Sequence, residues 1–342
     1  MQISQKKIIY PIGEAFDHYL KQYGRQANIT TLYDDLCRFN GSIVYEDPQG
    51  KETLWVTVMY QQEDAKRLRK QLLVIYTQLR IGEESSTDHL MVDRIDFGEF
   101  GNSKPFRIRI TNMFNDNADY FYVKQADASR ILGLELEHIL SPHRMNYLYK
   151  DNTLIEEHIP GVPGDVFIKD YLPDINLNHV RISKEFIKFN ERCWIRLLGD
   201  MRPVNYVVDI TPDFEEIQYR VRPIDFDQQC YEGERDIYRA YRWEENLPIQ
   251  DLVFKYLNHE TIVQYQDEER TQLARRALSE QRRLTRLMLA VQDCEISPKR
   301  KVDQVRDWLS QRYNYYPEMF THCDTMGKVL AVRLRHIIEN HR

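Results

Sequence analysis

The sequence predicts an α+β fold in which antiparallel strands fill the first half of the chain and helices dominate the second half. Apolar residues alternate over residues 106–110, as they do in half-buried strands, and residues 120–124 form an aromatic and β-branched run that ends on a lysine. After residue 227 the apolar residues recur with helical spacing. The chain has 342 residues, more than one small core usually organises, so two or three domains or lobes are expected.

Residues 1–88 are predicted to form an N-terminal extension that contains both helices and strands. Helical spacing occurs between residues 12 and 39, and the strands 42–46 and 53–60 flank a tight reversal at 47–50. Residues 61–81 predict a helix that stops at Gly82. The polar run 83–88 predicts a domain boundary.

Residues 89–160 predict a lobe built on antiparallel strands. Gly98 and Gly101 precede the strand 106–110, where glycines would let backbone N–H groups approach phosphates; an ordinary hairpin turn is the alternative. The strand 120–124 ends on Lys124, for which a solvated lysine is the alternative. A helix over 129–140 follows, and then a hairpin formed by 145–149 and 153–159.

Residues 161–342 predict a mostly helical lobe. The predicted helices cover 166–172, 183–198 with Ser183 as the cap, 264–291, 302–309 and 326–340. Arginines lie between the apolar positions of 264–291, and we interpret them as a solvated face rather than a phosphate or nucleic-acid surface.

Two segments of this lobe carry acidic and amide groups. Asp200 and Asn205 lie on either side of Pro203, and a short strand starts at residue 204. The alternating segment 219–224 delivers Asp225 at its end, so both acids are expected to face one cleft. Enzymes that transfer a phosphoryl group commonly use an Asp that accepts the hydroxyl proton of the acceptor. An Asn and a second Asp bind magnesium in the same site. The alternative is an ordinary loop, since Asp and Asn favour turns.

In these residues the chain resembles the kinase-like phosphotransferase superfamily, and specifically its aminoglycoside phosphotransferase and choline kinase branch. Members carry a Gly-Asp pair, a Pro, an Asn five residues after the Asp, and then Ile-Asp-Phe or Ile-Asp-Trp. The resemblance implies a two-lobed protein-kinase-like fold, with an antiparallel-sheet lobe at 89–160, a helical lobe at 161–342 and an extra N-terminal α/β domain at 1–88. Members commonly have His where this chain has Leu198, and often His or Lys at Arg202.

The resemblance also implies a role for individual residues. Asp200 would be the catalytic base, Asn205 and Asp225 would hold magnesium, and Asp227 would be an auxiliary ligand. Lys124 would contact the nucleotide phosphates and pair with a glutamate on the next helix, either Glu135, which we favour, or Glu137. The remaining nucleotide contacts would come from the glycine turn and from main-chain groups near the lobe connection: Gly98, Gly101, Glu157 and Ile159.

The function that follows from the resemblance is an ATP- and magnesium-dependent phosphotransferase acting on an unidentified hydroxyl acceptor, a small molecule or a protein. One alternative is a nucleotide-binding pseudokinase that acts as a regulator or scaffold, and another is a kinase-like fold that transfers the nucleotidyl group. Residues 1–88 would then be available to bind a regulatory partner.

Composition limits the partners and the compartment. A net charge of −6 and a pI of about 6.0 give no general reason to expect nucleic acid or an anionic membrane. The five cysteines are scattered without zinc or disulfide spacing, and no apolar segment is long enough for a signal or a membrane span. A cytoplasmic protein is therefore expected.

Overall fold

In the computed structural model of the chain, the described residues are 7–26, 29–47, 49–82, 86–213, 217–312 and 317–341. They form two compact units, each treated by itself below. The sheet unit comprises the described residues of Lys6–Asp127 and Met145–His158. The helical unit comprises the described residues of Ala128–Arg144 and Ile159–Arg342.

The strands form one large and one small antiparallel sheet. The large sheet has the order β1-β2-β3-β4-β5-β7-β6, and the small sheet has the order β10-β9-β8. The strands are β1 (Gly41–Glu46), β2 (Glu52–Met59), β3 (Leu90–Gly98), β4 (Phe106–Asn112), β5 (Ala118–Gln125), β6 (Tyr147–Lys150), β7 (Thr153–Glu157), β8 (Val162–Pro163), β9 (Tyr206–Pro212) and β10 (Ile217–Pro223).

The helices lie mostly in the second half of the chain, as predicted. They are α1 (Glu14–Gln22), α2 (Tyr33–Leu36), α3 (Gln62–Ile81), α4 (Ala128–Leu140), α5 (Gly164–Val166), α6 (His179–Arg196), α7 (Leu247–Tyr256), α8 (His259–Ser279), α9 (Gln281–Val291), α10 (Lys299–Arg312) and α11 (Met326–Asn340). Short 3₁₀ segments occur at Pro203–Asn205, Arg235–Tyr238, Ala240–Arg242, Glu244–Asn246 and Pro317–Phe320, and a π-helical turn at Phe167–Tyr171.

The core of the sheet unit lies between α3 and one face of the large sheet. In α3, Leu68, Leu72, Ile75 and Leu79 recur every three or four residues and are buried, so one stripe of the helix faces the sheet. Alternate residues of β4, beginning at Phe106, bury their side chains in the same core. The predicted stop of α3 is confirmed, because Gly82 has a φ of 84° and its N–H bonds to the carbonyl of Gln78.

The structure divides the chain differently from the domain boundaries predicted at residues 88 and 160. β2 lies before residue 88 and pairs with β3 in the same sheet, with Trp55 opposite Gly98 and Thr57 opposite Asp96. Residues 41–81 therefore extend the large sheet and cover it, rather than forming a separate domain. Within the run 83–88, residues 83–85 lie outside the described residues. The helix α4, placed by sequence in the strand lobe, belongs to the helical unit.

Two predicted helices of the helical unit have different bounds in the structure. α6 begins at His179 rather than at residue 183, because Asn178 accepts a hydrogen bond from the N–H of Arg181 and caps the helix. Ser183 is buried inside α6. The single helix expected over 264–291 is divided into α8 and α9 at Glu280. The prediction of α11 is confirmed.

Among the helices of the described ranges, none combines the length and the apolar character that a bilayer span requires.

Candidate functional site

The loop that carries Asp200 is held beside the segment 228–230 within the helical unit. α6 ends at Arg196, and Leu197 then takes a left-handed φ of 57°. The following residues pair with the second segment, since the Gly199 N–H bonds to the Gln228 carbonyl at 3.2 Å and Leu198 forms an antiparallel bridge with Gln229. Leu198 is fully buried there, so the position that is commonly His in the resembled family is an apolar part of this junction.

The hairpin of β9 and β10 brings Asn205 and Asp225 to one end of the small sheet. Tyr206, the first residue of β9, lies opposite Pro223, the last residue of β10. The Ile224 N–H continues this pairing with a 3.0 Å hydrogen bond to the Asn205 carbonyl. The predicted strands and the predicted position of Asn205 at a loop-to-strand junction are confirmed, and residues 214–216 lie outside the described residues.

Asp200 is fixed on both its backbone and its carboxylate. Its φ is 59°, a left-handed conformation, and its carbonyl accepts a hydrogen bond from Asn205 Nδ2 at 2.7 Å. Arg202 Nε donates to Asp200 Oδ1 at 2.7 Å and Arg202 Nη2 donates to Oδ2 at 3.2 Å. The two-pronged pair holds the carboxylate in one orientation.

Burial raises the pKa of the Asp200 carboxyl to about 6, while the hydrogen bond and charge of Arg202 act to lower it. The negative charge of Asp225 acts with burial to raise it, which places the two carboxylates within electrostatic reach of each other. A carboxylate with this pKa is ionised near neutral pH but remains more basic than an exposed aspartate. Asp200, Asn205 and Asp225 therefore come together in one unit.

The raised pKa predicts a pH-dependent difference between the wild type and Asp200→Asn. The folded state holds a proton that the unfolded state has lost between the ordinary pKa of 3.8 and about 6, so this contribution is present below about pH 4 and lost as pH rises through 6. From pH 5 to pH 7.5 the wild type should lose about 1 kcal/mol of unfolding free energy relative to Asp200→Asn. Urea denaturation at both pH values measures this, and an unchanged difference would contradict the burial of an ionisable Asp200.

Asp227 has a different environment from Asp225. The Asp225 Oδ1 atom accepts the Asp227 N–H at 2.9 Å, which closes a turn. The Asp227 carboxylate itself forms an ion pair with Arg130 of α4. α4 approaches this loop closely, since a Cβ on Gly133 would lie 2.9 Å from the Phe226 Cβ. Asp227 is therefore the partner of Arg130 in this structure, and its role as an auxiliary metal ligand stays a prediction.

The glutamates of α4 pair with arginines of the helical unit. Arg283 of α9 donates to Glu135 Oε1 at 2.8 Å and 2.5 Å, and Glu137 pairs with Arg196 of α6. In the sheet unit, Lys124 Nζ lies 2.6 Å from Glu156 Oε2 on the neighbouring strand β7. Within the sheet unit Lys124 therefore pairs with Glu156, which the sequence analysis did not name, and its pairing with Glu135 or Glu137 stays a prediction.

The predicted glycine turn spans residues 99–105 between β3 and β4. Gly101 needs to be glycine because its φ is 74°, whereas Gly98 ends β3 and lies against the Phe100 ring. At the other predicted nucleotide contact, the Glu157 N–H already bonds to the Asn146 carbonyl at 3.2 Å. Ile159 is buried in the helical unit.

Sequence reasoning missed two residues beside Asp200. Arg202 was noted only as a departure from the family pattern, although its position two residues after an Asp on a loop was a signal for an ion pair. Its guanidinium carbon lies 5.5 Å from the centre of the Trp243 ring. The Trp243 Nε1 atom is buried, and the described ranges supply it with no hydrogen-bond acceptor.

No protein family matches the chain, and no curated protein matches it. Among solved structures, the chain is similar to that of the Neurospora crassa PAN3 pseudokinase, with 11% sequence identity and a TM-score of 0.19. The match covers 82% of this chain and 70% of that chain. A TM-score at this level does not assign a fold. The structure contains both strands and helices, with an antiparallel sheet in the N-terminal region followed by many helices.

Proposed function

We propose that the chain is a kinase-like phosphotransferase that uses ATP and magnesium and acts on a hydroxyl acceptor. One observation carries this proposal: Asp200, Asn205 and Asp225 meet at one end of the β9–β10 hairpin, and the pKa of Asp200 is raised to about 6. A base, an amide and a second carboxylate in this arrangement are the residues that kinase-type transfer requires.

In the proposed mechanism, Asp200 orients the acceptor hydroxyl and takes its proton as the new bond from oxygen to phosphorus forms. The bond between the terminal phosphorus and the bridging oxygen of ATP breaks in the same step, so ADP is the leaving group, and the proton stays on the carboxylate until the product leaves. Arg202 keeps the carboxylate in one orientation through its two hydrogen bonds. When bound, magnesium supplies positive charge to the phosphate oxygens.

Asn205 and Asp225 are the proposed magnesium ligands. Magnesium prefers oxygen ligands and commonly takes only one or two carboxylates, with phosphates and water completing its shell. The Asn205 Nδ2 atom donates its hydrogen bond to the Asp200 carbonyl. The amide oxygen of Asn205 therefore points away from that contact. Over the part of the chain that the structure describes, no group of three His, Cys, Asp or Glu side chains is arranged for a metal, so substrate phosphates and water would have to complete the proposed shell.

Lys124 keeps its proposed role as a phosphate contact, with Glu156 as the residue that orients it. The pair is formed between adjacent strands, and the exposed fractions of the two side chains are 12% and 4%. A charge-assisted hydrogen bond from Glu156 would hold the ammonium group in one position. The resemblance supports the role of Lys124, and the pair in the sheet unit supports Glu156 as the residue that orients it.

A second candidate function is nucleotide binding without turnover, as in a pseudokinase. The specific observation in its favour is the ion pair that Arg202 forms with both oxygens of Asp200, because an acceptor hydroxyl would have to share those oxygens with the guanidinium group. The buried apolar Leu198 also leaves the junction without the histidine that is common in the resembled family.

Calorimetry and turnover assays on the full chain separate these functions. We expect binding of ATP that requires magnesium and is lost when EDTA is added, together with release or transfer of the terminal phosphoryl group. Binding without turnover would favour the second candidate, and the absence of both would overturn the two together. Mass spectrometry of an acceptor distinguishes an added phosphoryl group from an added nucleotidyl group, and the latter would overturn phosphoryl transfer.

A further inference from the structure

Three arginines of the helical unit lie around Asp236, outside the residues proposed for phosphoryl transfer, and a fourth lies close to one of them. Arg235 Nε is 3.2 Å from the Asp236 carboxylate, Arg239 Nη1 is 3.4 Å away and Arg242 Nε is 3.7 Å away. Arg235 and Arg242 belong to two 3₁₀ segments, and Arg239 joins those segments. The fourth, Arg312, ends α10.

These arginines carry positive charge that the surrounding protein does not balance. Among the described residues, Asp236 is the one carboxylate within 4 Å of their guanidinium groups, which leaves an excess of three positive charges. Burial lowers the pKa of Arg239, and the positive charges of Arg235 and Arg312 lower it further, whereas Tyr241 and Asp236 act to raise it. Bringing an anion to this group would relieve that repulsion.

Aromatic rings hold two of the arginines in place. The Arg239 guanidinium carbon lies 4.5 Å from the centre of the Trp194 ring, and that of Arg312 lies 5.5 Å from the same ring. Trp194 is stacked on Trp308 with ring centres 5.3 Å apart. These ring contacts already restrict the side chains of Arg239 and Arg312. Less conformational entropy is therefore lost when the two side chains bind a ligand.

The cluster combines an inner cation with outer cations that can close around a ligand. The side chain of Arg239 is 12% exposed, whereas those of Arg235 and Arg242 are 47% and 48% exposed. A guanidinium group held in the interior of the cluster and more exposed ones at its rim are suited to surround an anion from several directions.

The segment that carries these arginines is fixed to the Asp200 loop. The Asp200 N–H donates to the Ile237 carbonyl at 3.2 Å. Asn246 Nδ2 donates to the Met201 carbonyl and to the Ala240 carbonyl, each at 2.8 Å. An anion that orders the 3₁₀ segments therefore acts on the residues that hold the backbone of Asp200.

We propose that Arg235, Arg239, Arg242 and Arg312 form a binding site for a phosphate dianion, supplied as a phosphomonoester or as free phosphate. The planar guanidinium group donates two parallel hydrogen bonds to phosphate oxygens, and a dianion offsets more of the excess charge than a carboxylate does. The site needs neither magnesium nor a nucleotide, so it is independent of the proposed function.

Calorimetric titration of the full chain without magnesium tests the site. The probes are inorganic phosphate and glycerol 2-phosphate, with acetate as the monoanion control, all at one ionic strength set with potassium chloride. We expect saturable binding of a phosphate probe that exceeds binding of acetate. Tighter binding of glycerol 2-phosphate than of inorganic phosphate identifies a phosphomonoester as the ligand, and the reverse order identifies free phosphate. Equal responses to phosphate and acetate would overturn the proposal.

Charge-removing variants locate the site. Arg239→Gln should weaken phosphate binding roughly tenfold or more, because a charged hydrogen-bond donor is lost. Arg312→Gln and Arg242→Gln, at more exposed positions, should weaken it several-fold and keep the test valid if Arg239→Gln does not fold. Arg282→Gln removes the same charge from an exposed position on α9 and should leave binding unchanged. Equal losses in Arg282→Gln and Arg312→Gln, or no loss in Arg312→Gln and Arg242→Gln, would refute the assignment.

Discussion

Replacing Asp200 with asparagine should lower the rate of phosphoryl transfer by roughly 10²–10⁴-fold, the range lost when a positioned general base is removed. The amide has almost the same shape as the carboxylate, so the loop that Asn205 and Ile237 hold should keep its structure. Affinity for magnesium-ATP should change little, since Asp200 is proposed to contact the acceptor. Single-turnover kinetics and calorimetry on the same preparation measure the two effects separately.

Asp225→Asn should differ from Asp200→Asn in nucleotide binding. Magnesium-dependent binding of the nucleotide should be lost, and turnover should be lost as a consequence. Asp251→Asn, an exposed position on α7, is the matched control and should leave both quantities unchanged. Full turnover in Asp200→Asn would remove the assigned base and, with it, the proposed mechanism. If both site variants match Asp251→Asn while the wild type is active, the chemistry takes place elsewhere in the chain.

The sequence could predict that Asp200, Asn205 and Asp225 lie close together, because their positions depend on local chain geometry. Asn205 precedes β9 and Asp225 follows β10, and two strands joined by a short turn bring their outer ends together. A sequence pattern that identifies the two strands therefore also places these residues. The same reasoning explains the success with α3, whose apolar stripe and Gly82 stop are both local signals.

Charge partners could not be predicted because they depend on how distant elements pack. Glu135 and Arg283 are separated by 148 residues, so their pairing requires the position of α9 against α4. The pairing of Lys124 with Glu156 requires β7 to lie beside β5 in the sheet, with β6 outside it. Both pairings are set by tertiary contacts, which no periodicity reveals.

The predicted domain boundary at residues 83–88 and the predicted single helix over 264–291 differ from the structure for a related reason. The polar run 83–88 resembled a linker, but β2 and β3 pair across it, and strand order is not a local property. The division between α8 and α9 falls at Glu280, where the sequence has neither glycine nor proline to mark it.

Removing the arginine partner of a buried glutamate should have the largest effect on stability. Arg196 and Glu137 form an ion pair in which their side chains are 1% and 2% exposed. Burial alone would raise the pKa of Glu137, but the positive charge of Arg196 is the main influence that lowers it. Arg196→Met keeps the length of the side chain and leaves a buried carboxylate without this partner, so the unfolding free energy should fall by about 3–5 kcal/mol.

Urea denaturation at pH 7 measures this loss, and two further variants show its cause. Glu137→Gln combined with Arg196→Met should recover a large part of the stability, because the uncompensated charge is gone. Arg300→Met, at an exposed position on α10, removes an arginine without leaving a buried carboxylate uncompensated. It should change the unfolding free energy by less than about 0.5 kcal/mol. A small loss in Arg196→Met, or a double variant no more stable than the single one, would show that Glu137 is not held chiefly by the charge of Arg196.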